Sequence, residues 1–350
     1  MLLADMGAQV IKVERPDSGD ETRGWAPPFD AGGRSTYFQS VNRNKESVTC
    51  DLSSRSGQQR AMELISSCDV LVENFTVGGM EKFGLGFEFL AQKYPALIYC
   101  SISGFGSSAA ASNLPGYDLL VQAMSGLMSI TGEDSQHPSK VGVALVDVTA
   151  GLHAALGITA ALYHRSQSGL GQRIEINLLS SALSAMVNQS GAYTGAGVIP
   201  TAMGNAHPSI APYEMYQGAD LKFIIAAGTD GHFAKLFTLL GQELDHYPEF
   251  LTNTGRVKFR TQLNALITPI LAQRSANYWI SECRKVGVPA GPINNIGEGI
   301  ALAQELELSP IVEIIDPRDG FASRTIAHPI KFSRTPAQYY LGPPALGADN

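Results

Sequence analysis

Asp147 is the residue whose type and setting best suit covalent chemistry. It lies between an apolar run, residues 143–146, and a long helix that the pattern predicts to begin near Thr149. One interpretation is structural, because aspartate is a favoured helix N-cap whose carboxylate accepts an otherwise unpaired backbone N–H. The other is catalytic, since a helix N-terminus keeps a carboxylate ionised and its N–H groups can stabilise a nearby oxyanion, as a carboxylate nucleophile requires. The pattern alone leaves both interpretations open.

The other polar residues of the sequence do not form the common catalytic motifs. It contains no Gly-x-Ser-x-Gly elbow, Walker A motif or His-Glu-x-x-His pattern, and residues 84–89 lack the third glycine of a dinucleotide fingerprint. The four cysteines show no Cys-x-x-Cys pair and no histidine at metal-binding spacing, which indicates buried thiols in a reducing compartment. We therefore expect neither a metal nor a permanently bound cofactor.

Composition limits the class of protein. A chain of 350 residues predicts about two domains, and 44% apolar against 16% charged residues indicates a globular protein rather than a disordered one. The net charge of −7, without clusters of Lys or Arg, argues against a nucleic-acid partner. Because no run approaches about 18 apolar residues and the N-terminus lacks signal-peptide features, we expect no membrane association. The expected location is cytoplasmic, or the mitochondrial matrix if a targeting segment precedes Met1.

Apolar strand-like runs alternate with helical stretches, which predicts an α/β fold with a parallel sheet covered on both faces. The first half is predicted to form strands at 9–13, 47–52, Val70–Glu73, 97–102 and Arg173–Asn177, with helices at 57–66, Phe87–Lys93, from near Thr149 to 168, and 178–187. The second half is predicted to form strands at 223–227, Ile311–Ile315 and 324–332, with helices near 232–240, 256–273 and Ala276–Val286 and one more after 295.

Short segments in a distinctive order run the length of the chain: residues 2–15 (LLADMGAQVIKVER), 19–25 (GDETRGW), 42–45 (NRNK), 72–75 (VENF), 101–106 (SISGFG), 116–118 (GYD), 146–151 (VDVTAG), 287–292 (GVPAGP) and 341–342 (LG). Together they resemble the class III CoA-transferase family, of the CaiB/BaiF or formyl-CoA transferase type, from residue 1 to residue 350. Residues 42–45, 99–103, 204–213 and 291–295 are most similar to succinyl-CoA-dependent transferases that act on dicarboxylates.

The resemblance implies an activity and a role for Asp147. The family's nucleophilic aspartate matches this residue, so its carboxylate is expected to attack the donor thioester. A mixed anhydride and then an aspartyl-CoA thioester would follow, with acyl-CoA and small carboxylic acids as substrates.

The resemblance also implies the binding residues. Arg15, Asn74, Phe75 and Lys82 match positions that contact CoA. The remaining matches surround the acyl group or form the family's glycine-containing active-site loop, and they are Ser103, Phe105, Tyr117, Gly228, Thr229, Asp230 and Gly231.

The implied architecture is a Rossmann-like large domain with a parallel sheet and a smaller α/β domain, assembled as a homodimer of interlocked rings. The expected bounds are 1–195 for the N-terminal part of the large domain, 196–212 for a linker, 213–295 for the small domain, and 296–350 for a return linker and the rest of the large domain.

Two departures from the family pattern keep alternatives open. Family members normally open with a strand and a Gly-Pro turn, on the order of twenty residues, which do not precede Met1 here. The final helix expected after Gly342 is also missing, so an inactive CoA-binding homologue is one alternative.

An acyl-CoA racemase or epimerase is the other alternative, but family racemases use the histidine of a Gly-His-Asp motif as second base. Tyr117 takes that position here, and tyrosine is a poor base at neutral pH. Transferase activity is therefore favoured.

Overall fold

The computed structural model describes residues 1–111 and 114–350, which form a mixed α/β structure. The expected fold class, with parallel strands and covering helices, is confirmed. The strands are β1 (Val10–Glu14), β2 (Lys45–Thr49), β3 (Val70–Glu73), β4 (Ile98–Ser103), β5 (Arg173–Asn177), β6 (Tyr213–Gln217), β7 (Lys222–Ala226), β8 (Ala290–Pro292), β9 (Ile311–Ile315) and β10 (Ala322–Ile326). The helices are α1 (Leu2–Asp5), α2 (Thr36–Val41), α3 (Arg55–Ser66), α4 (Gly79–Lys82), α5 (Phe87–Lys93), α6 (Asp118–Met124), α7 (Leu145–Ser168), α8 (Leu178–Ala185), α9 (Val187–Ala196), α10 (Asp230–Leu239), α11 (Asn253–Lys258), α12 (Arg260–Leu271), α13 (Ala276–Val286) and α14 (Ile296–Glu305), with short 3₁₀ turns at Glu21–Gly24, Met128–Ile130, Leu244–His246 and Pro248–Phe250.

Backbone proximity divides the chain into two compact units. The first contains Met1–Ser125, Gly142–Val187 and Leu302–Asn350, and the second contains Gly126–Val141 and Asn188–Ala301. Residues 126–141, expected in the large domain, thus cluster with the second unit, and each unit is described by itself below.

The first unit contains two parallel sheets and one antiparallel hairpin. Strands β3, β4 and β5 are adjacent and parallel, and β1 pairs in parallel with β2. Helix α7 covers the three-stranded sheet, where Ala154 and Ile158 pack with Cys100 and with Ile174 on β5. Small side chains such as Ala154 let this face of α7 approach the sheet closely.

The second unit is built on an antiparallel sheet in the order β6-β7-β8. Its core consists of buried apolar side chains from β7 and from α10, α12 and α13, including Phe223, Phe233, Leu263 and Trp279. Strands β6 and β8 were not predicted, because β6 (YEMYQ) lacks an apolar run and β8 has only three residues. The helix predicted over 256–273 is two helices, which separate at Phe259.

Candidate active site

Asp147 occupies the first turn of α7 but is not its cap. The helix begins at Leu145 after Ala144, which provides no side-chain cap, and Asp147 is the third helical residue. The structural interpretation of Asp147 as an N-cap is therefore wrong. The residue is exposed, so a substrate can reach its carboxylate.

The capping carboxylate comes from Asp118, at the start of α6. The backbone N–H groups of Val146 and Asp147 donate to Asp118 Oδ1 over 2.8 and 3.3 Å. Gln122, fully buried one turn later on α6, donates from Nε2 to Asp118 Oδ2 over 2.6 Å. Asp118 was not among the predicted site residues, although it ends the Gly-Tyr-Asp segment of the family resemblance.

The surroundings of Asp147 disfavour its charged form. Partial burial, and after it the negative charge of Asp118, raise the pKa of Asp147 from 3.8 to about 6. A carboxyl group with this pKa is still mostly ionised at pH 7, but the N–H groups of Val146 and Asp147 donate to Asp118 and not to the Asp147 side chain. A carboxylate with a raised pKa is more basic and a stronger nucleophile once it is ionised.

Tyr37, on α2, is close enough to Asp147 and Asp118 for their charges to act on its phenol. Burial and then the charges of Asp147 and Asp118 raise the pKa of the Tyr37 phenol. Its ring packs edge-to-face against Trp25, with 5.0 Å between the centroids, and both rings are exposed in part. Neither residue was singled out from the sequence. The available signal was the place of Trp25 in the segment 19–25.

A cavity of about 320 Å³ opens where β3, β4 and β5 end. Of the predicted residues, it brings together Phe75, Ser103 and Phe105. Ser103 Oγ accepts the N–H of Gly106 over 3.0 Å and so holds the turn after β4. The cavity's charged lining is mostly acidic and comprises Glu73, Glu81, Glu175 and Arg173.

The other predicted CoA contacts lie outside that lining. Arg15 and Lys82 are exposed cations, and Arg15 comes within 3.5 Å of the Glu21 carboxylate. Asn74 is exposed beside Phe75 at the end of β3. Tyr117 precedes α6, and its side chain is 68% exposed.

The loop of Gly228, Thr229, Asp230 and Gly231 lies in the second unit and is anchored at its helical end. Thr229 caps α10 by accepting the N–H of His232 over 3.1 Å. Asp230 accepts from Nη2 of the buried Arg256 over 2.6 Å, and Arg256 also donates to backbone oxygens of Ala211 and Phe250. This loop is therefore tied to the core of its own unit.

Two further properties bear on chemistry and location. Across residues 1–111 and 114–350, no three His, Cys, Asp or Glu side chains are grouped so as to hold a metal ion. The same residues include one helix, α7, that is long and apolar enough to cross a membrane, a property that core helices of soluble proteins share.

Comparisons with known proteins point in one direction. The profile of "CoA-transferase family III" matches residues 1–350. Succinate–glutarate CoA-transferase of Agrobacterium fabrum is 40% identical over 99% of this chain and 88% of its own length. Succinyl-CoA:glutarate CoA-transferase of Homo sapiens is 37% identical over 99% of this chain and 79% of its own length. A CAIB/BAIF family protein from Brucella suis superposes with a TM-score of 0.85 at 40% identity, covering 99% of this chain and 91% of its own.

Proposed function

The chain belongs to CoA-transferase family III and is a CoA-transferase, and on this premise we propose that it moves CoA from succinyl-CoA to a dicarboxylate through covalent intermediates on Asp147. The observation that carries the proposal is the position of an accessible carboxylate with a raised pKa in the first turn of α7.

The reaction is a relay through the carboxyl group of Asp147. One carboxylate oxygen attacks the donor's thioester carbon, the C–S bond breaks, and CoA leaves as a thiolate while a mixed anhydride forms. The thiolate then attacks the Asp147 carbonyl carbon, which gives an aspartyl-CoA thioester and releases succinate. Splitting the transfer in this way replaces one difficult step with easier ones.

The second half of the relay reverses these steps with a different acid. The acceptor carboxylate attacks the aspartyl-CoA carbonyl and expels CoA thiolate, forming a second mixed anhydride. The thiolate attacks the acceptor's carbonyl carbon, which yields the new acyl-CoA and restores the Asp147 carboxylate. One thioester is broken and one is formed overall, so the chemistry is nearly thermoneutral.

The names of the relatives support the choice of substrates. Those cited above act between succinate or succinyl-CoA and glutarate, and a relative from Haloarcula marismortui, 35% identical, is a succinyl-CoA:mesaconate CoA-transferase. Each pair consists of dicarboxylates, and we therefore propose glutarate or a similar dicarboxylate as acceptor.

CoA itself is proposed to lie along the carboxyl ends of β3 to β5, where parallel sheets bind their ligands. Phe75, Ser103 and Phe105 line the cavity there. The acidic lining suits an uncharged part of CoA, and we propose the exposed Arg15 and Lys82 as the candidates for its phosphates. Asn74, which precedes Phe75 at the end of β3, is proposed as a further CoA contact. Roles for Tyr117 and for Gly228, Thr229, Asp230 and Gly231 near the acyl group stay predictions.

We also propose that the enzyme is a homodimer and that α7 contributes to the contact between subunits. One face of α7 is buried, whereas apolar residues along another face stay exposed, among them Val148, Leu152 and Leu156 at four-residue spacing. A second copy would cover this stripe, and we propose this role for α7 rather than a membrane crossing. Light scattering of the wild-type protein should give twice the mass of one chain. Leu156→Lys, which puts a charge in the proposed contact, should lower the measured mass toward that of one chain.

The experiment that tests the function measures transfer directly. Wild-type protein incubated with succinyl-CoA and glutarate should yield glutaryl-CoA by mass spectrometry, and Asp147→Ala should abolish it. Asp69→Asn, which removes an exposed carboxylate beside Arg165, is the matched control and should keep full activity. Full exchange by Asp147→Ala would overturn the nucleophile, and no exchange by wild type with any acid tested would favour the inactive homologue.

A further inference from the structure

Asp118 stands out as a charged group that the proposed mechanism does not use. It accepts the N–H groups of Val146 and Asp147 and is itself held by Gln122. Its carboxylate thus takes donors in the first turn of α7 that the Asp147 carboxylate or a developing oxyanion would otherwise use.

We infer that Asp118 is a positioning residue that drives Asp147 toward its covalently modified states by placing a second negative charge beside the free carboxylate. The inference rests on the proposed function. Attack by Asp147 Oδ on the thioester carbon transfers its negative charge to the departing CoA thiolate, and the resulting aspartyl anhydride is neutral. Repulsion from Asp118 therefore acts on the free enzyme and is relieved in both the anhydride and the aspartyl-CoA thioester.

The local charges agree with this assignment. After burial, the charge of Asp118, from α6, raises the pKa of Asp147, and after burial both carboxylates raise the pKa of Tyr37, on α2. Two like charges in a partly desolvated site interact more strongly than in water. The hydrogen bonds from α7 and Gln122 fix Asp118 in place, so the repulsion cannot be relieved by rotation of its side chain.

The test replaces the charge of Asp118 but keeps its shape. In Asp118→Asn, the remaining carbonyl oxygen can still accept the N–H groups of α7, while Asp118→Glu keeps the charge. The ionisation of Asp147 is followed by ¹³C NMR of carboxyl-labelled protein without substrate, with Asp147→Asn to assign the signal. We expect the pH at the midpoint of the Asp147 titration to fall by about one unit in Asp118→Asn. In Asp118→Glu this midpoint should stay near that of wild type.

A second measurement follows the covalent state itself. Each variant is mixed with succinyl-CoA alone at pH 7.5, and intact mass gives the fraction carrying aspartyl-bound CoA. One pH unit corresponds to about a tenfold change in an equilibrium constant, so Asp118→Asn should hold about tenfold less adduct relative to free enzyme. Asp69→Asn, which changes an exposed carboxylate paired with Arg165 near the C-terminal end of α7, should match wild type in both measurements.

The outcomes separate this inference from the proposed function. An unchanged Asp147 midpoint, or undiminished adduct, in folded Asp118→Asn overturns the role of Asp118 even when transfer proceeds normally. Absence of any adduct in wild type contradicts the covalent relay instead, and the NMR midpoint still reports whether Asp118 acts on Asp147. If Asp118→Asn does not fold, Asp118→Ser removes the charge, keeps a side-chain oxygen that can cap α7 and should lower the titration midpoint of Asp147; an unchanged midpoint would contradict the inference.

Discussion

Gly104 and Gly116 lie in direct backbone contact. A β-carbon on Gly104 would come within 2.4 Å of Gly116 Cα, and one on Gly116 within 2.6 Å of Gly104 Cα. Gly104 directly follows β4, and Gly116 stands two residues before Asp118. The crossing thus holds the start of α6, and with it the carboxylate that caps α7, against the end of the sheet.

Substitution at this crossing should impair the site. Gly116→Ala forces two backbones apart, since a real Cβ does not approach another atom this closely. We expect a loss of about 1–3 kcal/mol in the free energy of unfolding, together with reduced transfer activity. Urea denaturation and glutaryl-CoA formation measure the two effects. Gly299→Ala, in an open position within α14, should be neutral or stabilising by up to about 1 kcal/mol; equal behaviour of the two variants would contradict the steric argument.

Transfer activity should depend on pH through Asp147. Because its pKa is raised to about 6 and the nucleophile must be ionised, kcat/KM should rise as the pH increases through about 6 and level off above it. A pH profile from 4.5 to 8.5 in buffers of constant ionic strength checks this. An acid limb near pH 4, the range of an unperturbed carboxyl, would show that the surroundings of Asp147 have no such effect.

The same shift predicts a conflict between stability and activity. Asp147 binds its proton more tightly in the folded state, so its contribution to stability falls as the pH rises from about 4 to 6 and remains lost above that. Asp147→Asn should therefore be inactive yet more stable than wild type at pH 7.5. Because solvent screens this exposed carboxylate, we expect the gain in unfolding free energy to be only about 1 kcal/mol. Urea denaturation at pH 7.5 and pH 4.5 measures the difference in unfolding free energy between Asp147→Asn and wild type. The gain should fall to about a third at pH 4.5, and a gain that is equal at both pH values would point to another cause.

A buried ion pair should matter far more than an exposed one. Arg43 donates to Asp5 over 2.7 Å, and both side chains are almost fully buried. Arg43→Met removes the guanidinium from the buried Asp5 carboxylate, which keeps Asn44 and His328 beside it, and should cost about 3–5 kcal/mol of unfolding free energy. Arg60→Met, which removes a 3.8 Å pair with Glu63 on the surface of α3, should change it by less than about 1 kcal/mol. Urea denaturation compares the two, and losses of similar size would show that burial of the pair is unimportant.

The sequence predicted best those elements whose pattern is local. The strand Val70–Glu73 and the helices Phe87–Lys93 and Ala276–Val286 have the predicted bounds, because their apolar spacing and end signals lie within the element. The predicted helix 178–187 instead divides at Val187, which has a positive φ of 31°. A positive φ is unusual for a β-branched residue, and the apolar pattern of this segment does not predict it.

The sequence by itself determined the family and the choice of Asp147, because the order of short segments along one chain is a property of sequence. Tertiary structure decided what surrounds that residue. The cap of α7 comes from Asp118, 29 residues earlier in the chain, and Tyr37 approaches from α2. Whether a carboxylate is stabilised or opposed depends on which charges and N–H groups lie within a few ångströms of it. The packing of α6 against the first turn of α7 brings Asp118 within hydrogen-bond distance of Val146 and Asp147, which local sequence does not encode.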